Sequence, residues 1–378
     1  MFKTGVASLP LHGGKAPRWL FNRMVKLGRA ILEVIAEEYG VREILVRLSD
    51  PCWFQAFGCA LGFDWHSSGL TTVTCGALKE ALKDGTLDLI LCGGKGKVSL
   101  KTPDEIVKAC DILGIGSSRE RKLIHASRLV AKVDNAVLQD GYQLYHHVIV
   151  FDRNGNWVVI QQGMDADNGT ARRYHWLSFN VERGFFNSPH SGIIGDIKRG
   201  AVLNMASRLS EKARKVSVDI VKDGPVKVKK LYLEVQSLKE DTLLKWIPGL
   251  KKNSVNVREL KYLEMPRNIN WNALREAYEI SPSNYEELIL VKGLGPSTVR
   301  ALALISELIY GTPIDWADPV KYSFAVGGKD GVPFPVKRDV MDEATKMLME
   351  AIESARIGER DKLKALRRLR SFAPPTLI

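Results

Sequence analysis

The chain has no apolar run that approaches the roughly 18 residues of a membrane-spanning helix, because charged residues interrupt each one. Membrane spanning is therefore not expected. Low-complexity tracts are also missing, which argues against long disordered segments. Cysteine is scarce: Cys52, Cys59, Cys75, Cys92 and Cys110 are the whole complement, with no CxxC spacing among them. An odd number without metal-ligand spacing points to reduced, buried thiols rather than a disulfide framework or a zinc site. The opening segment Met1–Pro10 has neither an apolar core nor a small-residue cleavage site, so a cytoplasmic protein is expected. Acidic residues are in deficit as well, 43 against 55 Lys and Arg, leaving a formal charge of +12. Such a surplus favours a polyanionic partner, nucleic acid first, over an enzyme that is merely basic.

What is present is globular: 378 residues, 45% hydrophobic and 26% charged, enough for two or three domains. Residues Arg18–Tyr39 and Leu70–Lys83 have helical periodicity. Asp88–Cys92 reads as a short strand feeding the basic loop Gly93-Gly94-Lys95-Gly96-Lys97, which lacks Walker spacing but offers lysines and amides to a phosphate. Thr102-Pro103-Asp104-Glu105 has the form of a capped helix start. A β-hairpin is expected from His146–Phe151 and Trp157–Gln162, with Asn154-Gly155 as a two-residue turn. That turn places Val148 opposite Gln161 and His147 opposite Gln162. Leu231–Val235 is a further strand candidate, and breakers near Pro266 mark a domain boundary. Helices follow at Trp271–Tyr278, Tyr285–Val291, Pro296–Tyr310 and Val340–Ala355.

Between two of those helices stands Val291-Lys292-Gly293-Leu294-Gly295-Pro296-Ser297-Thr298. It resembles the helix-hairpin-helix motif in its hydrophobic-x-Gly-hydrophobic-Gly core. Two glycines allow a tight turn and a close approach to phosphate, and the amides opening the next helix are free to receive it. Lys292, Gly293, Leu294, Gly295, Ser297, Thr298 and Arg300 are the candidate DNA contacts, gripping the sugar-phosphate backbone without reading sequence. Ser283 and Glu286 form a candidate capping box for the first helix. Ile112-Leu113-Gly114-Ile115-Gly116-Ser117 echoes the motif, as a degenerate second hairpin or an ordinary glycine C-cap. The expected fold is α+β: a mixed region over 1–265 that carries the hairpin and the chemistry, and a helical helix-hairpin-helix domain over 266–355. A basic tail over 356–378 completes it. Arg356, Arg360, Lys362, Lys364, Arg367, Arg368 and Arg370 of that tail are either phosphate contacts or a solvated helix end.

Candidate chemistry gathers at the open end of the β-hairpin. Asp140, Gln143, His146, His147 and Gln162 lie at or before that end, and Asp165, Asp167, Arg172, Arg173 and His175 follow it. Asp140, His146, His147, Gln162, Asp165 and His175 are the catalytic candidates, with Asp140 and Asp165 as ligands for Mg or Mn and the arginines neutralising a phosphate. The alternative is a solvated hairpin end. Phe63-Asp64-Trp65-His66-Ser67-Ser68-Gly69 is a second acid-imidazole group, though one of its serines is better suited to capping.

Three further resemblances bear on function. Lys132-Val133-Asp134-Asn135 is similar to the KxDG signature of nucleotidyltransferases and ligases, with Asn135 in place of the glycine. Asp315 stands where the helix-hairpin-helix DNA glycosylases carry an essential aspartate, and Ser297 replaces the lysine of their bifunctional members. Asp318 is nearby. Finally, Thr4–Trp19 and Phe324–Gly331 resemble an archaeal and thermophile family of unknown function, seven-six-three in the domain-of-unknown-function series. That resemblance covers most of the chain and implies a helix-hairpin-helix protein without assigning catalytic residues. Lys337 departs from the aspartate its relatives would carry. Taken together, the expectation is a metal-dependent DNA nuclease of repair or processing, with a DNA glycosylase or a non-catalytic DNA-binding protein as alternatives.

Overall fold

The computed structural model describes residues 16–63, 68–182, 184–195, 198–237, 265–320 and 338–372. Four helices come first: α1 (Arg18–Tyr39), α2 (Val41–Ser49), α3 (Pro51–Leu61) and α4 (Gly69–Ala81). Strand β1 (Leu89–Lys95) leads to α5 (Thr102–Leu113) and α6 (Ser117–Lys132). The β-rich stretch comprises β2 (Leu138–Gln139), β3 (Gln143–Asp152), β4 (Trp157–Asp165), β5 (Thr170–Leu177), β6 (Gly192–Ile194) and β7 (Leu203–Asn204). Helices α7 (Glu211–Lys222), α8 (Pro225–Ser237), α9 (Trp271–Ile280), α10 (Tyr285–Leu290), α11 (Pro296–Leu308), α12 (Arg338–Ser354) and α13 (Glu359–Phe372) complete an α+β fold.

A five-stranded antiparallel sheet in the order β1-β3-β4-β5-β6 lies between two helical layers. Alternate strand residues point to opposite faces. Ile149, Phe151 and Val159 thus join one apolar core with α5 to α11, while Val148, Val150, Val158 and Ile160 join another with α1 to α4, α12 and α13. Burial on both faces explains the unbroken Val and Ile runs near the hairpin turn. Helix α3 is buried on every side, which suits its almost wholly apolar sequence. Its start is fixed by Asp50, whose carboxylate accepts the amides of Cys52 (2.7 Å) and Trp53 (3.2 Å), with Pro51 at the first helical position. All five cysteines are free and buried.

The chain division expected near 265 does not coincide with a division of the core. Leu274, Leu288, Leu294 and Leu302 share one cluster with Ile149 and Val159, and Leu348, Ile352, Ala365 and Leu369 share the other with Trp53 and Val150. Residues 359–372 of the basic tail form the helix α13, anchored by the buried Ala365 and Leu369.

Four local expectations are corrected. The hairpin loop has three residues, not two: Asp152 N donates to Asn156 O (2.9 Å), and Gly155 takes a left-handed conformation at φ 84°. The Asp152 carboxylate accepts both the Asn156 amide (2.9 Å) and its side chain (2.8 Å), locking that loop. The register consequently moves by one, pairing His146 with Gln162 and His147 with Gln161. Leu231–Val235 is helical within α8, whose buried Val228, Leu231, Tyr232 and Val235 have helical spacing. The capping box before α10 also sits one residue later than expected. Asn284 accepts the Glu287 amide (3.0 Å), and Glu287 accepts from the Ser283 amide (2.8 Å). Beside the hairpin, β5 pairs with β4 along its whole length.

Candidate functional site

The sheet divides the six catalytic candidates three and three. His146 and His147 are consecutive on β3 and so face opposite layers. Asp140, His147 and Asp165 lie on the α5–α11 side, and His146, Gln162 and His175 on the α1–α4 side. The candidates therefore share one end of the strands but are split between the two faces of the sheet.

On the α5–α11 side the buried carboxylates and His147 are matched. Ser127 Oγ lies 2.8 Å from His147 Nε2, and His147 Nδ1 lies 2.8 Å from Gln161 Oε1. Gln161 Nε2 donates to Asp134 (2.5 Å), which also accepts from Trp176 Nε1 (2.8 Å) and His190 Nε2 (2.6 Å). An ionised carboxylate can only accept, so Gln161 turns its amide nitrogen to Asp134 and its oxygen to His147. A second group follows. Arg172 donates to Asp140 (2.9 Å) and forks onto Asp318 (3.0 and 2.8 Å), while Tyr174 donates its hydroxyl to Asp140 (2.7 Å). Burial works against the Arg172 charge, yet Asp140, Tyr174 and Asp318 raise its pKa. Asp165 is held by Arg199 and by Asn168 Nδ2 (2.7 Å); burial opposes ionisation, but these donors bring its pKa down to about 2.

Two of these carboxylates are the expected metal ligands. Asp140 and Asp165 each spend their oxygens on a guanidinium and on amide donors, so they do not fit a Mg or Mn site as they stand. Among the described residues no group of three His, Cys, Asp or Glu side chains is placed to hold a metal ion.

The α1–α4 side is unmatched. Lys95, His146, Gln162 and Arg173 form one cross-strand row over β1, β3, β4 and β5. His146 is 1% exposed, and neither ring nitrogen has a hydrogen-bond partner among the described residues. Burial pushes its pKa down to about 3, helped by His147 and Lys95, so the ring is neutral at ordinary pH. Gln162 donates to Ser68 O (2.9 Å) and to Tyr145, leaving its own Oε1 buried without a donor. Arg173 is wholly buried and has no carboxylate partner among the described residues: it donates to His175 Nε2 (2.9 Å), Thr71 Oγ1 (3.2 Å) and Pro51 O (3.4 Å). His175 Nδ1 in turn donates to Leu48 O (3.0 Å). Burial lowers the Arg173 pKa to about 10 despite the thiols of Cys75, Cys52 and Cys59.

The turn between α10 and α11 faces the other way electrostatically. Its carbonyls are taken by the protein: Asn270 Nδ2 donates to Gly293 O (3.1 Å), Lys132 Nζ to Leu294 O (2.7 Å) and Gln139 Nε2 to Pro296 O (2.8 Å). Helix α11 starts without a side-chain cap. Lys292, Gly293 and Pro296 are exposed, Gly295, Ser297 and Arg300 half-buried, and Leu294 and Thr298 buried. Arg300 donates to Gln139 Oε1 (3.1 Å), tying the turn to β2. The two glycines differ. Gly293 has φ 79°, and a Cβ there would lie 2.7 Å from Asn270 Nδ2, so the fold itself requires glycine. Gly295 has φ −108° and open space where a Cβ would stand, so the fold does not.

Other singled-out residues have structural work. Gly93, at φ 103°, packs against the β3 backbone, and its amide donates to Glu105 (2.7 Å). Lys132 and Asp134 point apart, one to the α10–α11 turn and one into the sheet network. Gly114 is a left-handed C-cap of α5, with Ile115 N bonded to Cys110 O (2.8 Å). Asp315 accepts the Ala317 amide (2.9 Å) in its own turn, and Asp318 is the member bound to Arg172. Asp64, His66, Phe324–Gly331 and Lys337 lie outside the described residues. Ser127, Gln161, His190 and Arg199 were not singled out as partners; only their hydrogen bonds identify them. The alternation of Arg173 and His175 against Arg172, Tyr174 and Trp176 was the available signal for β5 and its two faces.

No curated protein and no solved structure matches the chain. No helix among the described residues is long and apolar enough to cross a membrane. Residues 5–336 match the family described as Protein of unknown function (DUF763), and the chain belongs to that family.

Proposed function

We propose that this protein binds the backbone of DNA through the α10–α11 turn, acting in DNA repair or processing. The observation that carries the reading is Gly295: the fold tolerates a side chain there, so its absence serves something that approaches the backbone from outside. A phosphate is the suited ligand, because three inward carbonyls leave the positive end of α11 outward, beside the exposed Lys292. The sequence of the turn resembles a helix-hairpin-helix, and the +12 charge supplies long-range attraction. Titrating labelled duplexes of unrelated sequence at several salt concentrations tests it. Similar affinities that fall linearly on a log-log salt plot are expected. Affinity restricted to one sequence, or none at low salt, would overturn the reading.

Cleavage of the bound strand is a second reading, favoured by the unpartnered His146 and the carboxylate-free Arg173. Arg173 would neutralise a phosphodiester and His146 would exchange a proton, which an incoming anion would favour by raising its pKa. Both are enclosed in this conformation, so the reaction requires α3 and α4 to draw back from the sheet. Labelled single-stranded, duplex and forked DNA, incubated with Mg²⁺, Mn²⁺ or EDTA, separates the outcomes. Strand cleavage reduced at least about 100-fold in His146→Gln, with binding kept, supports it. Base release without strand cleavage identifies a glycosylase instead, and neither product identifies a binding protein.

A further inference from the structure

Helices α1 and α13 enclose a cleft of about 470 Å³, a volume in the range of ligand sites. Its floor is apolar, with Leu27 and Leu61 among its residues, and its walls are basic. Trp19, Arg23 and Lys26 share one face of α1; Lys364 and Arg368 share a face of α13, and Arg356 stands just before that helix. The buried Ala365 and Leu369 hold α13 in place, so the walls are fixed.

The charges are not balanced. Arg29 is occupied by Glu33 (2.7 Å) and Asp84 (3.0 Å), and Arg23 lies 4.0 Å from Asp361. Glu33 and Asp361 are the acidic side chains of the lining, and both are thus engaged. Lys26, Arg356 and Lys364 have no carboxylate partner among the described residues. Next to the lining residue Arg23, whose guanidinium is 5.5 Å from its ring centroid, Trp19 is 60% exposed. A large aromatic ring left in water beside an unbalanced basic cleft is the pairing that single-stranded nucleic acid uses: bases stack on the ring while phosphates follow the cations. A duplex keeps its bases stacked inside and cannot use Trp19 in this way.

We infer that the α1–α13 cleft binds a single-stranded DNA segment, with a base stacked on Trp19 and phosphates held by Lys26, Arg356 and Lys364. The cleft packs on the α1–α4 side of the sheet and the α10–α11 turn on the other, so neither site depends on the other. The protein would then hold two portions of a partly unwound DNA, a duplex at the turn and a strand in the cleft.

The test is the binding of labelled oligothymidylate to the full chain by fluorescence anisotropy, with circular dichroism confirming the fold of each variant. Charge reversal at Lys26, Arg356 and Lys364 together is expected to lower affinity at least about tenfold. The log-log salt slope should become shallower by about 2, since each lost single-strand phosphate contact removes about 0.7. Trp19→Ala should lower affinity about tenfold, the loss of one stacked base, and Trp19→Phe should restore most of it. Gly295→Val should leave oligothymidylate binding unchanged and weaken only the duplex, so failure of the turn and failure of the cleft are separable. Parental affinity in either the charge-reversed protein or Trp19→Ala overturns the inference. If the triple variant does not fold, Lys26→Ala alone decides the cationic part through its salt slope.

Discussion

Arg172 and Arg173 are neighbours on one strand, both 0% exposed and each over an aromatic ring, and they differ in their hydrogen-bond partners. Arg172 meets two carboxylates and a tyrosine-bonded network; Arg173 meets a histidine nitrogen, a hydroxyl and a carbonyl. The same contrast separates His147, bonded at both nitrogens, from His146, bonded at neither. A buried charge costs several kcal/mol unless it is paired. The matched face therefore repays its burial within the fold, whereas the other retains a cost that stability alone does not explain.

The largest expected effect is on the matched face. Arg172→Met should lower stability by about 3–5 kcal/mol, because it strands Asp140 and Asp318 in a dry interior. Arg173→Met strands no carboxylate and should cost about 1 kcal/mol. Chemical denaturation of the two variants checks the difference, and equal losses would break the comparison.

Acid should expose the histidines next. Burial lowers the pKa of His146, His147 and His175, whereas their unfolded forms take up a proton near pH 6.5. Below that pH the unfolded state binds more protons, so the stability present above about 6.5 is lost on acidification. Each such histidine contributes a slope of about 1.4 kcal/mol per pH unit, which for His146 persists down to a pKa of about 3. Denaturation midpoints of His146→Gln between pH 6 and pH 4 should fall less steeply than the parent's by one such share. An unchanged slope would mean that His146 does not stay neutral in the fold.

Smaller effects sharpen the contrast. At neutral pH, His147→Leu should cost about 1–3 kcal/mol by removing the partner of Ser127 Oγ and of Gln161 Oε1, whereas His146→Leu should be neutral or stabilising. Comparable losses in the two variants would remove the distinction between the faces.

Much of the helical frame was legible: Arg18–Tyr39 coincides with α1, and the helix, glycine and proline signals located α10 and α11. The α+β class follows from the same patterns. The failures share a cause. A one-residue slip in a hairpin loop changes every cross-strand pair, and Asn154-Gly155 does not by itself distinguish a two-residue from a three-residue loop. Val228, Leu231, Tyr232 and Val235 carried helical spacing, but the short apolar run Leu231–Val235 after the basic residues also suited a strand. The candidate site was legible as residue types and not as partnerships. Nothing local in the sequence tells that Asp318 will reach Arg172 across 146 positions, or that Arg173 will find no acid. The buried partnerships are tertiary, and so is the difference between Gly293 and Gly295.

That last difference gives the most direct test of DNA binding through the turn. Gly295→Val should fold with parental stability, since its backbone is unstrained and its surroundings open, and its duplex affinity should fall at least about tenfold, one lost charge-assisted phosphate contact. Duplex anisotropy, measured alongside a thermal melt, reads both quantities on one sample. Parental affinity in a folded Gly295→Val protein would contradict the account.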